Sequence, residues 1–410
     1  MSIYIKSITL VIGVFLLRPT ALGQQYTTFG VILVLFAFGI HMLECLKNRK
    51  SYFVTRKNFI IILTSVLLWT YLLSHALVAG SNHLDFVIKA SIAHIIVISC
   101  AAVILSHQKS NYMFFRHLMK IFIFFSITYT LTFILGMFLG ISFDRLKLFN
   151  LPVEGYEQAG EVYFPFTQLY GFMTVGSLQL PRGLGFFRES GIFQAFLIWA
   201  FFNLNNYRLD NKKNKVLLFL GIVGTFSTTG IVTFFTVFAI KLFLTKRRFW
   251  SLILVSLSIF VLFYAPYIGL KSKSVTHSTS ISDRSFATKT GLERLIENPV
   301  GIGLYNTESS KVANEGINLL AMSYTVGIIG LIIILVTYFL PIYGYAFKRS
   351  YLVGVIPFFI TFLISQPILD APFIYLMFMA DYGSLTSFEN DIKVKSDITK
   401  ERDGYLRNIS

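Results

Sequence analysis

Hydrophobic positions along this chain fall in long, nearly unbroken runs, and polar positions are confined to the links between them. Apolar runs occupy 3–17, 27–46, 58–79, 86–106, 118–141, 191–206, 216–227, 230–245, 250–266, 316–340, 351–369 and, weakly, 371–386. A helix needs roughly 20 mostly apolar residues to cross about 30 Å of hydrocarbon. The pattern therefore predicts an all-α polytopic transmembrane bundle of about twelve spans, one integral membrane domain over residues 1–410. The runs 216–227 and 230–245 are short and adjacent, as in a tight re-entrant hairpin. The last run is the weakest because it holds Asp381.

The links give the bundle a direction. Lys47, Arg49, Lys50, Arg56 and Lys57 follow the second run. Lys109/Arg116/Lys120, Arg208/Lys212/Lys213/Lys215, Lys246/Arg247/Arg248 and Lys348/Arg349 mark the next basic links. They alternate with links almost free of short-range positive charge: 19–26, 80–85, 228–229 and the turn at Asp370. Basic short loops face the cytoplasm, so both termini and the polar tail 387–410 are expected there. Arg18, directly after the first run, marks that run as an uncleaved anchor and not a signal peptide. Two long polar links, 142–190 and 267–315, then fall on the outer face. Within the second, Phe286, Leu292, Leu295 and Ile296 share one helical face. That segment would either lie flat on the membrane or pack on the bundle.

Composition agrees with the pattern. Hydrophobic residues make up 55% of the chain and charged residues 14%, against about a quarter charged in soluble domains. The net charge of +16 implies no nucleic-acid partner, because basic cytoplasmic loops account for it. Cys45 and Cys100 lie inside apolar runs, which argues against a disulfide framework. Lys89, His94, Lys241, His41 and Glu44 also fall inside runs, where charge is costly. Lys241 and Glu44 sit close enough to a basic link to snorkel or pair, Lys89 could face a cavity, and His94 reads as a packing residue.

Candidate chemistry concentrates in the outer links. Arg182, Arg188 and Glu189 lie in PRGLGFFRESGIFQ, which starts at Pro181 and runs straight into the sixth span. Guanidinium groups bind phosphate oxygens in a planar, bidentate fashion. Two of them at a membrane boundary suit a lipid-linked diphosphate, and Glu189 beside them could accept a proton. The alternative is an interfacial anchor with its own internal ion pair.

The stretch from Arg182 to Gly191 resembles the signature of the O-antigen polymerase and O-antigen ligase family. STTG from Ser227, GLERLIENPVGIGLYN from Gly291, and the segment holding NEGINLL and VGIIG resemble that family's later motifs, in the same order. The resemblance covers roughly 180–340. It implies a bacterial inner-membrane enzyme that joins sugars carried on undecaprenyl pyrophosphate into capsular, exopolysaccharide or O-antigen chains, with a flippase and a chain-length regulator as partners. It implies that Arg182, Arg188, Arg284 and Arg294 stabilise the departing diphosphate, that Glu189 or Glu315 acts as base, and that neither a metal nor another cofactor is required. The absence of Asp and Glu from 19–26 agrees with the last point. Two departures stand out. The turn after Thr225 lacks the family's frequent Arg, and 312–318 lacks the His of many ligases. The missing His favours a polymerase over a ligase. A transporter or flippase for the same lipid-linked sugar is the reading from another class.

Overall fold

The computed structural model describes residues 2–48, 53–151, 153, 160–175, 178–264, 278–306, 318–365 and 368–381. Fourteen α-helices occur among them. The first half is a set of long antiparallel helices: α1 (Ser2–Phe15), α2 (Thr27–Lys47), α3 (Arg56–Val78), α4 (Leu84–Ser106) and α5 (Gln108–Phe133), followed by the short α6 (Phe143–Leu146). The second half holds α7 (Ser190–Asn203), α8 (Lys212–Gly224), α9 (Thr228–Leu244), α10 (Arg248–Tyr264), α11 (Ser278–Glu297), α12 (Ser323–Phe339), α13 (Lys348–Ile364) and α14 (Pro372–Met377).

Local chemistry sets many of the boundaries. Thr55, Asn211 and Ser227 cap α3, α8 and α9 by accepting backbone N–H groups three residues on, which satisfies donors that a helix start leaves open. After α3 the chain leaves the helix at Gly80 in the left-handed region, φ +66°.

Among the described residues, five helices are long and apolar enough to cross a membrane: Thr27–Lys47, Arg56–Val78, Leu84–Ser106, Gln108–Phe138 and Ser323–Gly344. The other apolar runs form shorter helices. Helices α7, α8, α9, α10 and α13 have 13 to 17 residues, and α14 has six. Of the about twelve full spans expected, five helices among the described residues have spanning length. Ser227, the last residue of the run 216–227, caps α9 and so separates two short helices where one long one could have formed.

The fold is also not purely helical. The first long link carries a four-stranded antiparallel sheet in the order β1 (Lys147–Asn150), β2 (Glu161–Tyr163), β3 (Thr167–Val175) and β4 (Leu178–Gly183). Pairing runs Lys147↔Tyr163, Val162↔Gln168 and Leu169↔Gly183. The sheet sits over the end of α5, where Tyr129 donates from its hydroxyl to the Pro181 carbonyl at 3.0 Å and Thr132 to the Phe164 carbonyl at 2.7 Å. Tyr129, Leu146, Tyr163 and Leu169 form a small separate core beneath it.

The main core runs through α1, α3, α4, α5, α7, α12, α13 and α14. Helix α1 is a packed part of it, with Leu10 and Val14 fully buried, as is Leu17 just after it. Its densest region is aromatic. Phe187, from the link itself, stacks on Phe196 at 4.6 Å, on Phe193 at 5.7 Å and on Phe373 at 6.1 Å. Burying such a ring contributes roughly 2–3 kcal/mol, so the link before α7 is anchored in the bundle. Both cysteines are buried and unbridged. His94 is buried against Trp69 and Tyr375, a packing role. Lys241 holds its ammonium 5.3 Å from the Phe202 ring centroid. Lys89 faces outward and pairs with Asp85 at 3.8 Å, not with a cavity.

Helix α11 extends the amphipathic segment expected over 285–298. It packs on α12, with Gly291 against the Leu320 and Ala321 carbonyls. Phe286, Leu292 and Ile296 nevertheless remain exposed. Of the two arrangements the sequence left open, packing on the bundle is the one observed, and an apolar stripe stays uncovered.

Candidate functional site

The stretch from Arg182 to Ser190 organises the site. Gly185 (φ +56°) and Phe186 (φ +65°) turn the chain sharply. A side chain at Gly185 would overlap the Phe193 ring, with contacts down to 2.3 Å. This turn drives Phe187 into the core and leaves Arg182 and Arg188 on either side of it. The link after α1 then pairs with the far limb. Ala21 N–H donates to the Phe186 carbonyl at 2.9 Å, and Arg188 N–H donates to the Pro19 carbonyl at 3.2 Å. The Thr20 hydroxyl, bonded to the Phe15 and Leu17 carbonyls, stiffens that first turn.

Arg182 is held on three sides. Its Nη2 donates to Ser190 Oγ at 2.7 Å, its Nε to the Thr225 carbonyl at 3.4 Å, and its guanidinium stands 5.3 Å from the Tyr170 ring centroid. Burial pushes its pKa down from the ordinary arginine range. Tyr170 and Glu189 oppose that shift, and the positive Arg284 reinforces it. Arg182, Glu189 and Arg284 therefore share one electrostatic neighbourhood. Arginine stays charged in proteins, so two like charges influence each other here at reduced hydration. Glu189 is the residue preceding the first turn of α7, whose N-terminal end carries the positive pole of the helix dipole.

On the other side of the turn lies a group that the sequence reading did not single out. Arg18 pairs with Asp370, and the Tyr305 hydroxyl donates to the same carboxylate oxygen at 3.0 Å. Phe86 closes the group, 5.6 Å from the Arg18 guanidinium and edge-on to Tyr305 at 4.9 Å. Asp370 raises the pKa of Arg18. Burial and Asp370 raise that of Tyr305 well above its usual value, while Arg18 and Arg188 act in the opposite sense. Arg188 thus lies within electrostatic reach of Tyr305.

The later motifs fold onto this face. The Ser365 hydroxyl lies a tight 3.3 Å from the point where Gly191 would carry a Cβ, and the Ser227 hydroxyl an ordinary 3.9 Å. In the NPVGIG segment, Ile302 and Gly303 N–H donate to the Tyr324 and Thr325 carbonyls at 3.1 and 2.9 Å. Gly327, at φ +71°, allows Val300 to come within 2.1 Å of its missing Cβ, and so kinks the start of α12. This pairing carries Tyr305 to Asp370.

Arg182 lies within electrostatic reach of Glu189 and Arg284, and Arg188 within that of Tyr305. Arg294 lies ten residues beyond Arg284 on α11, about 15 Å along the axis, with its guanidinium 5.2 Å from the Tyr324 ring centroid. Glu315 lies outside the described residues. Arg18, Tyr305 and Asp370 were missed because each is a lone polar residue in a short or glycine-rich link. The available signal was placement: Arg18 and Asp370 are opposite charges at run ends expected on the same face.

Among the described residues, one group of metal-type ligands lies together: His41, Cys45 and His107. His41 is fourteen residues along α2 from Thr27, about 21 Å. The group is at the far end of the bundle and takes no part in the site above. Comparison with protein-family models, with curated proteins and with solved structures gives no match.

Proposed function

We propose that this chain is a membrane glycosyltransferase that polymerises oligosaccharide repeat units carried on undecaprenyl pyrophosphate, at the outer face of a bacterial inner membrane. One observation carries this reading: a single anchored stretch, 182–190, holds arginines on both sides of its turn, Arg182 within electrostatic reach of Arg284 and Glu189, and Arg188 within that of Tyr305, which hydrogen-bonds the carboxylate of the Arg18–Asp370 pair. Positive charge kept at reduced hydration beside an apolar bundle suits an anion that arrives on a lipid. Fixed charges in such a place stabilise developing negative charge without reorganising.

In this reading Arg182, Arg188 and Arg284 bind the diphosphate oxygens, with Arg294 guiding the donor toward them. A hydroxyl of the acceptor unit attacks the anomeric carbon of the donor sugar. The new glycosidic bond forms as the bond from that carbon to the diphosphate oxygen breaks. The lipid diphosphate leaves with the electron pair. Glu189 takes the hydroxyl proton, with Glu315 the second carboxylate for that role. The arginines carry the leaving charge, and the step invokes no metal ion or other cofactor. About twelve segments enter the bilayer, both termini are cytoplasmic, a flippase supplies the donor, and a chain-length regulator sets product size.

The test is reconstitution of purified protein in liposomes with a lipid-diphosphate-linked oligosaccharide. Longer lipid-linked chains should appear with one lipid diphosphate released per bond. Arg182→Ala and Arg188→Ala should each lower the yield at least about tenfold, roughly 1.4 kcal/mol in the barrier, with insertion intact. Unchanged chain length in both variants refutes this reading. Transfer of a finished chain to a different acceptor would indicate a ligase, and movement of substrate without new bonds a transporter.

A further inference from the structure

We propose that His41, Cys45 and His107 form a binding site for a borderline-soft divalent transition-metal ion, zinc being the best fit, at the end of the bundle opposite the candidate active site. The site is independent of the glycosyl-transfer reading.

Three observations meet here. First, the residue types and their placement are those of a ligand set. His41 and Cys45 are four apart on α2 and so share one face of the helix. His107 is the single residue between α4 and α5, and the corner brings its ring against theirs, 4.6 Å from the His41 ring centroid.

Second, the donor spacing fits a metal. Cys45 Sγ stands 3.7 Å from His41 Nε2 and 3.9 Å from His107 Nε2, and all three donor atoms lie within 4.8 Å of one another. Zinc bonds of about 2.3 Å to sulfur and 2.0 Å to nitrogen at a tetrahedral angle separate such donors by about 3.5 Å. An ion therefore needs only small side-chain adjustments to touch all three.

Third, the surroundings are those of an enclosed site. His41 and Cys45 are 2% and 3% exposed. Phe53 packs on His107 at 4.7 Å. Lys6, from α1, reaches His41 Nδ1 at 3.0 Å and Glu44 at 2.6 Å.

That last contact defines what binding must do. An ammonium group only donates, so His41 Nδ1 accepts from Lys6 and the ring hydrogen sits on Nε2, facing Cys45. When the ion binds, the Cys45 thiol releases its proton and the sulfur becomes the thiolate ligand. The His41 hydrogen moves from Nε2 to Nδ1, and Lys6 gives up that nitrogen while keeping Glu44. One proton leaves per ion bound. Thiolate with imidazole selects zinc-like ions over magnesium or calcium, which prefer oxygen. Three protein ligands leave a fourth position for water. The bound ion would tie α2 to the α4–α5 corner.

The test uses full-length protein in detergent with cobalt(II) as a spectroscopic probe and zinc as competitor. Wild-type protein should take up one cobalt per chain and show sulfur-to-cobalt charge-transfer absorption, displaced by one equivalent of zinc. Cys100→Ser should behave as wild type. Cys45→Ser should lose the charge-transfer band, and His107→Gln should bind zinc at least about tenfold more weakly. Should Cys45→Ser not fold, the wild-type and Cys100→Ser spectra decide alone. No charge-transfer band in the wild type, or a band that persists in Cys45→Ser, overturns the assignment.

Discussion

Arg18 and Asp370 form an ion pair across 352 residues of sequence, with side chains only 19% and 11% exposed. The pair joins the first link of the chain to the last turn of the bundle, and through Tyr305 it also holds the second long link. Removing one partner of a buried pair leaves an uncompensated charge and costs about 3–5 kcal/mol, whereas replacing both with apolar groups is often close to neutral. Asp370→Ala should therefore lower thermal stability in detergent sharply. The double variant Arg18→Met/Asp370→Leu should recover most of it. Equal losses in the single and double variants would show that the charges are not coupled.

Arg182 is bound through a planar fork to Ser190 and Thr225 and lies over Tyr170. Lysine keeps the charge but loses the fork and the flat face. Arg182→Lys should thus insert normally and still make at least about tenfold less polymer, a barrier change of roughly 1.4 kcal/mol. Polymer at wild-type length, read from gels of lipid-linked product, would mean that charge alone suffices.

Tyr129 lies between two glycines. A Cβ at Gly224 would come within 1.9 Å of its ring, and one at Gly183 within 2.8 Å. Gly224→Ala should destabilise by about 1–3 kcal/mol, the range for overpacking. Gly39, in the middle of α2, has nothing within 4 Å of its Cβ position. Gly39→Ala should be neutral or stabilising by up to about 1 kcal/mol. Thermal melts of the two variants side by side check the contrast.

Glu161 accepts from Lys147 and from the Tyr163 hydroxyl, each at 2.6 Å, and these bonds hold its pKa below the ordinary value. The folded value lies below the unfolded one, so the contribution is complete above the unfolded carboxylate range and is lost as pH falls through the folded value. Its size is small, because the Lys147–Glu161 pair is about a third exposed. Amide exchange in 147–175, corrected for intrinsic rate, should show the sheet loosening between about pH 7 and about pH 3. Glu161→Gln should abolish that step; an unchanged step would assign it to another group.

Ile296 and Phe286 on α11 are 81% and 63% exposed. An uncovered apolar stripe on a helix beside a membrane bundle is expected to dip into the interface. Tryptophan placed by Ile296→Trp should be quenched by brominated lipids in nanodiscs. An unquenched, water-like emission would put this face in solvent.

The short motifs from Arg182 onward could be read from the sequence, but their placement relative to one another could not be read from their order alone. PRGLGFFRESG was legible as a site because Arg182, Arg188 and Glu189 stand together in sequence beside an apolar run. Arg18, Tyr305 and Asp370 were not legible as a group, since a lone polar residue in a short link carries no record of its partner. The sheet was hidden as well. Its strands are three to nine residues long, within a link whose mixed polarity shows no clear alternation.

The sequence by itself determined that most of this chain is apolar helix and where the basic links fall, because hydrophobic runs and short-loop charge are local properties that the bilayer reads directly. Only the tertiary structure decided which runs keep spanning length, that Phe187 turns inward, that Arg18 meets Asp370, and that His41, Cys45 and His107 converge. Those outcomes depend on packing between elements distant in sequence. A single core aromatic, a bare glycine or one buried charge pair fixes them, and none leaves a periodic trace along the chain.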